Sequence, residues 1–324
     1  MTEPGWNAEG SPFHEGEQEA QARAGVRERM ERIGRRVVRD FMPDQHRQFF
    51  AKLSTLLIGH VDGQGRPWAS ILIGQPGFIT SPDPRQLHIA AEPLAGSPLS
   101  GELLEGMDVG LLGLEFHSRR RNRMNGKVVT LRPGAFSVKV DQSFGNCPKF
   151  IQTRNLVSNG STVGDLQPTA TRADFFGPAQ RRLIEQADTF FITSQFSQDR
   201  DDATQGADVS HRGGKPGFVR CEGDRQILWP DFHGNAHFNT IGNILRNPKS
   251  GLLFLDFATG DLLYITGTSE VIWEGAEVEA FEGAERLMRF TVTELIYVEA
   301  ALPFEWEFQA FSPVLDKTGS WEPL

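Results

Sequence analysis

Two small antiparallel β barrels in tandem behind an N-terminal helix, a mainly β (α+β) chain, are what this sequence predicts. An internal repeat is the first reason. Asp40-Phe41 recurs as Asp174-Phe175, and Thr55-Leu-Leu-Ile58 recurs as Thr189-Phe-Phe-Ile192, both at an offset of 134. Pro76-Gly-Phe-Ile79 recurs as Pro216-Gly-Phe-Val219, and Arg85-Gln-Leu87 as Arg225-Gln-Ile227, both at 140. Gly110-Leu-Leu-Gly-Leu-Glu-Phe116 recurs as Gly251-Leu-Leu-Phe-Leu-Asp-Phe257 at 141. Matches in constant order with two small insertions mark a duplication. The second reason is that strand patterns outnumber helical ones in each copy and are joined by short turns such as Asp62-Gly-Gln-Gly65, which favours antiparallel pairing. The third is size: 324 residues, 39% hydrophobic with 24 Phe, can fill two ordinary cores.

The elements follow in order. Residues 1 to 14 are polar with Gly and Pro and read as a loose arm. Residues 15 to 39 read as one amphipathic helix, because Val26, Met30, Ile33 and Val37 are spaced by four, three and four. The first copy spans 40 to 130. Its strands are expected at Ser54–Val61, around Ala69–Ile73, after Pro76-Gly-Phe, around Gln86–Ala90, and as a long pair, Val109–His117 with Asn122–Thr130. A linker spans 131 to 172 and carries Asn146-Cys-Pro-Lys149; a connection of that length points to function or mobility. The second copy spans 173 to 324, with the same strands and an alternating tail that closes its barrel.

Composition excludes several functions. The net charge of −9 argues against nucleic acid as a partner, since phosphate contacts need a basic field. The run Arg119-Arg-Arg-Asn-Arg123 goes against that background. Cys147 and Cys221 are the only cysteines, so no disulfide framework and no thiolate metal site is expected, and a reducing, cytoplasmic setting is the default. His60, His117, His233 and His237 lack metal-ligand spacing, so no metal is expected. No signal peptide and no apolar window of eighteen residues is visible, so no membrane partner is expected. Asp231 with His233 is not read as a hydrolase pair, because no Gly-x-Ser-x-Gly elbow is present.

The most informative stretch is 228 to 256, which reads as strand, polar loop, short helix, turn and strand. Asn239 and Thr240 suit a helix start as capping residues, Ile241, Ile244 and Leu245 share a face, and Asn247-Pro248 ends the helix. A helix N-terminus facing a polar loop can hold a phosphate. Three polar residues in a row, Ser210-His211-Arg212, lie on a predicted inner strand, where burying them unpaired is costly.

With Val209-Ser-His-Arg-Gly-Gly214, Phe218-Val-Arg220, Trp229-Pro-Asp-Phe232, Gly234-Asn-Ala-His-Phe-Asn-Thr240 and Asn247-Pro248, the chain resembles the pyridoxamine 5′-phosphate oxidase-like FMN-binding split barrels. The resemblance covers about 40 to 310 over both copies, and the second copy carries the more specific motif. It implies two split barrels paired within one chain as a pseudo-dimer, with FMN between them. Carried over by residue, Arg212 and Arg220 fall near the phosphate-binding positions, with Lys215 as the alternative to Arg212. Asn239 and Thr240 fall at the helix start, where the family has a basic pair. Pro230, Asp231, Asn235 and Phe238 belong to the same motif. Arg121 falls where the other barrel faces the flavin, with Arg119 and Arg123 on its strand face by alternation. Asn146, Lys149 and Gln152 could reach across from the linker.

The first copy has Gly96-Ser-Pro-Leu-Ser-Gly-Glu in place of the helix start, and the oxidase's C-terminal Arg- and Trp-containing segment is missing from Phe308 to Leu324. The resemblance therefore implies the fold and the cofactor rather than the oxidase reaction. The expectation is an FMN-dependent oxidoreductase acting on a small molecule or NAD(P)H, with a homodimer allowed. The alternatives are a flavin- or haem-binding sensor and a pseudo-dimer without cofactor.

Overall fold

A computed structural model describes residues 5 to 158 and 162 to 321. Parts of the expected loose arm, linker and tail (1–4, 159–161 and 322–324) lie outside the described residues.

The expected single N-terminal helix is two, α1 (Glu15–Arg23) and α2 (Arg27–Val37). Gly25, at φ +69°, breaks them in a conformation that glycine adopts without strain. The arm before α1 is not loose where it is described. Trp6, Phe13 and His14 are buried, and Trp6 packs with Val38 and Phe144. Apolar burial of a Trp and a Phe outweighs the polar composition around them.

The first unit continues with α3 (Asp44–Phe50), β1 (Thr55–Val61), β2 (Pro67–Ile73), β3 (Ile79–Asp83), β4 (Gln86–Ile89), β5 (Asp108–Glu115), β6 (Arg120–Arg132) and β7 (Ala135–Gly145). The connection holds β8 (Thr153–Ser158) and β9 (Thr169–Ala173). The second unit has α4 (Pro178–Gln186), β10 (Thr189–Phe196), β11 (Gly206–Gly213), β12 (Arg220–Glu222), β13 (Gln226–Phe232), α5 (Asn239–Arg246), β14 (Lys249–Leu255), β15 (Leu262–Ile272), α6 (Ala276–Glu279), β16 (Ala284–Glu299) and β17 (Phe304–Ala310).

The strand order of the first sheet is β2-β1-β5-β6-β7-β4-β3, and that of the second is β11-β10-β14-β15-β16-β13-β12. Both are antiparallel and neither path closes on itself. The orders correspond strand for strand, so the sequence repeat is a repeat of topology. Two expectations are corrected. The stretch after residue 130 is not an unstructured linker at first: β7 pairs with β6 and β4 inside the first sheet. The tail is not a cap alone: β16 is an interior strand, and β17 pairs with β8 away from both sheets.

The strands are apolar on both faces because each sheet covers two cores. In β1, Leu56 and Ile58 point into the first unit's own core, while Leu57 joins a cluster shared with Phe191, Val209 and Leu253 of the second. The shared layer is reciprocal. A Cβ on Gly110 of β5 would lie 2.7 Å from Asp208 Cα of β11, and one on the corresponding Gly251 of β14 would lie 2.4 Å from Pro67 O of β2. These glycines let the sheets approach to backbone contact, which explains why both copies keep Gly at that position.

Candidate functional site

The pocket forms where β6 of the first unit meets β11, β13, β16 and α5 of the second. Arg121 and Arg123 alternate on β6, so both side chains take the same face. Ser210, His211 and Arg212 reach it together because β11 is an edge strand. Asp231 and Arg286 sit side by side in the β13–β16 register. The loop from His233 to Phe238 closes the mouth, with Ala236 and Phe238 in left-handed backbone at φ +60° and +64°. The cavity volume is about 100 Å³.

Helix α5 starts at this wall, but not as capping residues predict. Phe238 is the N-cap and no side chain caps the helix. The Asn239 and Thr240 side chains are used elsewhere. Asn239 Oδ1 accepts from Arg123 Nη1 at 2.8 Å, and its amide nitrogen donates to Glu17 Oε1. Thr240 Oγ1 lies 3.2 Å from Asp208 Oδ2 and 3.1 Å from Ser210 Oγ. The first N–H groups of α5 are thus left without a side-chain partner beside the cavity, which favours an anion there.

The four arginines lining the pocket differ in charge balance. Arg123 is matched, with Nη1 2.7 Å from Asp208 Oδ1 and Nη2 donating to Val209 O at 3.0 Å and to Ser210 Oγ. Arg286 is matched twice, at 2.6 Å from Asp231 and 2.8 Å from Glu285, and its guanidinium lies over the Phe238 ring at 4.9 Å. Arg212 is only loosely matched, with Nε 3.9 Å from Asp231 Oδ1. Arg121 makes no ion pair among the described residues: Nε donates to Cys147 O at 2.8 Å, and Nη1 lies 3.3 Å from His211 Nδ1. Burial first, then the nearby Arg123, lowers its pKa to about 9. An arginine can only donate, so His211 Nδ1 is the acceptor and the ring proton sits on Nε2. Burial and the surrounding arginines hold His211 neutral, and its buried Nε2 has no partner among the described residues. Arg121, Arg212 and the α5 N-terminus therefore surround a space short of negative charge.

The N-terminal helix seals the far side of this wall. Gly16 of α1 crosses Gly242 of α5 so closely that a Cβ on Gly16 would lie 2.2 Å from Gly242 O. The crossing buries Glu17 against Asn239 and brings Gln21 Nε2 to His237 O at 3.1 Å. Burial pushes Glu17 up to about 8, so it adds little negative charge at neutral pH.

The structure brings Ser210, His211, Arg212, Asp231, Asn235, Phe238, Asn239, Thr240, Arg121 and Arg123 together around one cavity. It does not bring Arg220 there: β12 is the far edge of the sheet, and Arg220 pairs with Glu222 at 2.6 Å and stacks on Trp321 at 4.3 Å. Lys215 donates to Thr318 O at 2.5 Å, beyond the end of β11. Pro230 is buried within β13. Arg119 is bonded to Ile151 O and Phe311 O outside the cavity. Lys149 stands at the rim, 3.5 Å from His233 O. Gln152 is buried, ties Phe150 O and Gly214 O at 3.2 Å, and accepts from Ser312 N at 2.8 Å, so it fastens loops together. Sequence reasoning missed Arg286, Glu285, Asp208 and Glu17. Only the Asp208 position, two residues before Ser210 on the same strand face, carried a readable signal.

The corresponding place in the other half is filled. Ile71 and Leu72 stand where β11 has His211 and Arg212, and Leu262 and Tyr264 stand where β6 has Arg121 and Arg123. Ile71, Leu262 and Tyr264 pack in the shared apolar cluster. Among the described residues no group of three or more His, Cys, Asp or Glu is arranged to hold a metal ion, and no helix is long and apolar enough to cross a membrane.

No protein-family model matches the chain, and no curated protein matches it. Among solved structures, it is similar to HupZ from Group A Streptococcus, at 16% identity over 37% of this chain and 91% of that one, with a TM-score of 0.29. It is similar to a putative pyridoxamine 5′-phosphate oxidase from Lactobacillus delbrueckii, at 13% identity over 38% and 94%, with a TM-score of 0.30. A FAD-binding protein from Mesorhizobium loti matches at 10% identity over 40% and 98%, with a TM-score of 0.27.

Proposed function

We propose that the chain is an FMN-binding flavoprotein built as an intrachain pseudo-dimer of split barrels, and that it acts as an oxidoreductase on a small organic molecule or NAD(P)H. One observation carries the reading: Arg121 of one half and Arg212 with the α5 N-terminus of the other converge on a cavity without a matching carboxylate for Arg121. Such a place suits a phosphate dianion, which accepts charge-assisted hydrogen bonds from several guanidinium forks.

The phosphate end of FMN fits the residues present. Arg121, Arg212 and the first N–H groups of α5 would hold it. The ring does not fit a cavity of about 100 Å³, since ligand pockets usually measure roughly 300–1,000 Å³. Binding therefore requires the segment from His233 to Phe238 to move outward, with Phe232 of β13 left as apolar cover. When bound, the flavin would supply hydride exchange at N5. The chain's part is to neutralise the phosphate, to keep Arg123 rigid through Asp208, and to keep His211 uncharged so that its Nδ1 accepts from Arg121.

FMN fluorescence quenching tests this on the wild type, Arg212→Ala and Arg220→Ala. Binding at micromolar or better, weakened about tenfold or more in Arg212→Ala and unchanged in Arg220→Ala, supports the site; tenfold corresponds to about 1.4 kcal/mol. Wild-type protein that does not take up FMN would remove the flavoprotein reading. Bleaching of the bound flavin by NADPH or NADH separates an oxidoreductase from a protein that only holds the cofactor.

A further inference from the structure

The buried cavity adjoins an open groove on the first unit, and the two share Arg121 and Asn146. Arg119, Arg120, Glu115 and Asn122 also line the groove. We infer that this groove seats a phosphomonoester carried by a second ligand, the exchanging reactant, beside the ligand of the inner cavity.

The argument starts from charge. In a chain of net charge −9, three consecutive arginines, Arg119, Arg120 and Arg121, have no carboxylate within ion-pair distance among the described residues. The one carboxylate lining the groove, Glu115, is engaged by Ser118 and lies 3.6 Å from His117. The arginines are nevertheless held in place, by neutral acceptors. Arg119 donates to Ile151 O at 2.9 Å and Phe311 O at 3.0 Å; Arg120 donates to Gln45 O at 3.3 Å and lies over the Phe49 ring at 4.9 Å. Positions are fixed while the charge is not neutralised, which is how an anion site is preorganised.

Two anions are needed rather than one. Arg119, in left-handed backbone just before β6, and Arg120 line the groove but not the inner cavity. A single phosphate in the cavity cannot also occupy the groove. The inner space is the less open of the two and suits a resident group, whereas the shallower groove suits a reactant that comes and goes. A dianionic phosphomonoester engages several guanidinium forks at once, which a diester or a single carboxylate does less well. The inference rests on the flavin reading for the inner ligand only.

The test uses the full chain, with and without FMN, and equilibrium dialysis of NADPH and NADH, which differ by one phosphomonoester. NADPH is expected to bind at least tenfold tighter than NADH. Arg120→Gln should remove most of that preference, and Arg120→Lys should keep part of it. Neither substitution should change NADH or FMN affinity, and 0.5 M salt should abolish the preference in the wild type. Equal binding of the two nucleotides, binding of neither, or a preference untouched by Arg120→Gln would overturn the inference. FMN binding, read on the same samples, keeps the two readings apart. If FMN binds and the preference is absent, the groove inference falls alone. If FMN fails and an Arg120-dependent preference persists, the flavin reading falls and the groove stands.

Discussion

Replacing Arg121 by Met should separate stability from binding. The side chain keeps an unbranched apolar stem but is shorter and loses its charge. In the ligand-free protein Arg121 makes two neutral contacts, with Cys147 O and His211 Nδ1, and no ion pair. Those contacts are worth about 1–3 kcal/mol together. Against them stands the burial that lowers its pKa to about 9, which at about 1.4 kcal/mol per unit is a cost of a few kcal/mol. Removing a poorly compensated buried charge should therefore leave Tm unchanged or raise it by a few degrees. Ligand binding should move the other way, because the lost charge-assisted bond to phosphate is worth about 1.5–3 kcal/mol, roughly 10- to 150-fold in Kd. Thermal denaturation with and without saturating FMN reads both: an equal or higher Tm alone, and a smaller rise on adding FMN. A variant that is clearly less stable on its own but still gains the full FMN shift would refute the reasoning, since Arg121 would then be structural.

Other expectations follow from named contacts. Glu17, raised by burial to about 8, binds a proton in the folded state between about pH 4.5 and 8 where the unfolded chain does not. Its linkage lowers stability as pH rises through that window, by up to about 1.4 kcal/mol per unit, and urea unfolding should show Glu17→Gln without that component. His14, His46, His60 and His237 are lowered by burial to about 4, so the unfolded state binds more protons between pH 4 and 6.5. Stability should accordingly fall steeply with acid below pH 6.5, followed by circular dichroism. Gly16→Ala places a Cβ 2.2 Å from Gly242 O and should destabilise the arm by about 1–3 kcal/mol, seen as faster amide exchange in α1. FMN should change protease cutting between His233 and Phe238, and an identical digestion pattern with and without FMN would count against movement of that segment.

Much of the fold was legible because its causes are local or repeated. The matches at offsets of 134, 140 and 141 announced the two equivalent sheets, and strands such as Thr55–Val61 and Thr189–Phe196 could be placed from apolar runs and turns. Ser210, His211 and Arg212, which line the cavity, were legible because three successive polar residues on a strand need a reason to be there. Strand β7 was overlooked although Phe136, Val138 and Val140 alternate with Ser137, Lys139 and Asp141, because Ala135–Gly145 had no counterpart found in the repeat and was read as linker.

By itself the sequence determined the duplication, the antiparallel strands and the short helix that ends at Asn247-Pro248, all set by local propensity and spacing. Tertiary structure alone decided which arginines matter. Arg121 and Arg220 look alike in the chain, yet one ends in the cavity with no carboxylate partner among the described residues and the other on Glu222 and Trp321 at a sheet edge. It also decided that Asn239 and Thr240 serve Arg123 and Asp208 rather than the helix cap, and that Glu17, more than two hundred residues away, completes the wall. The reason is physical: the balance of charge around a buried group depends on partners brought together by packing between the two halves, and sequence spacing carries no record of those distances.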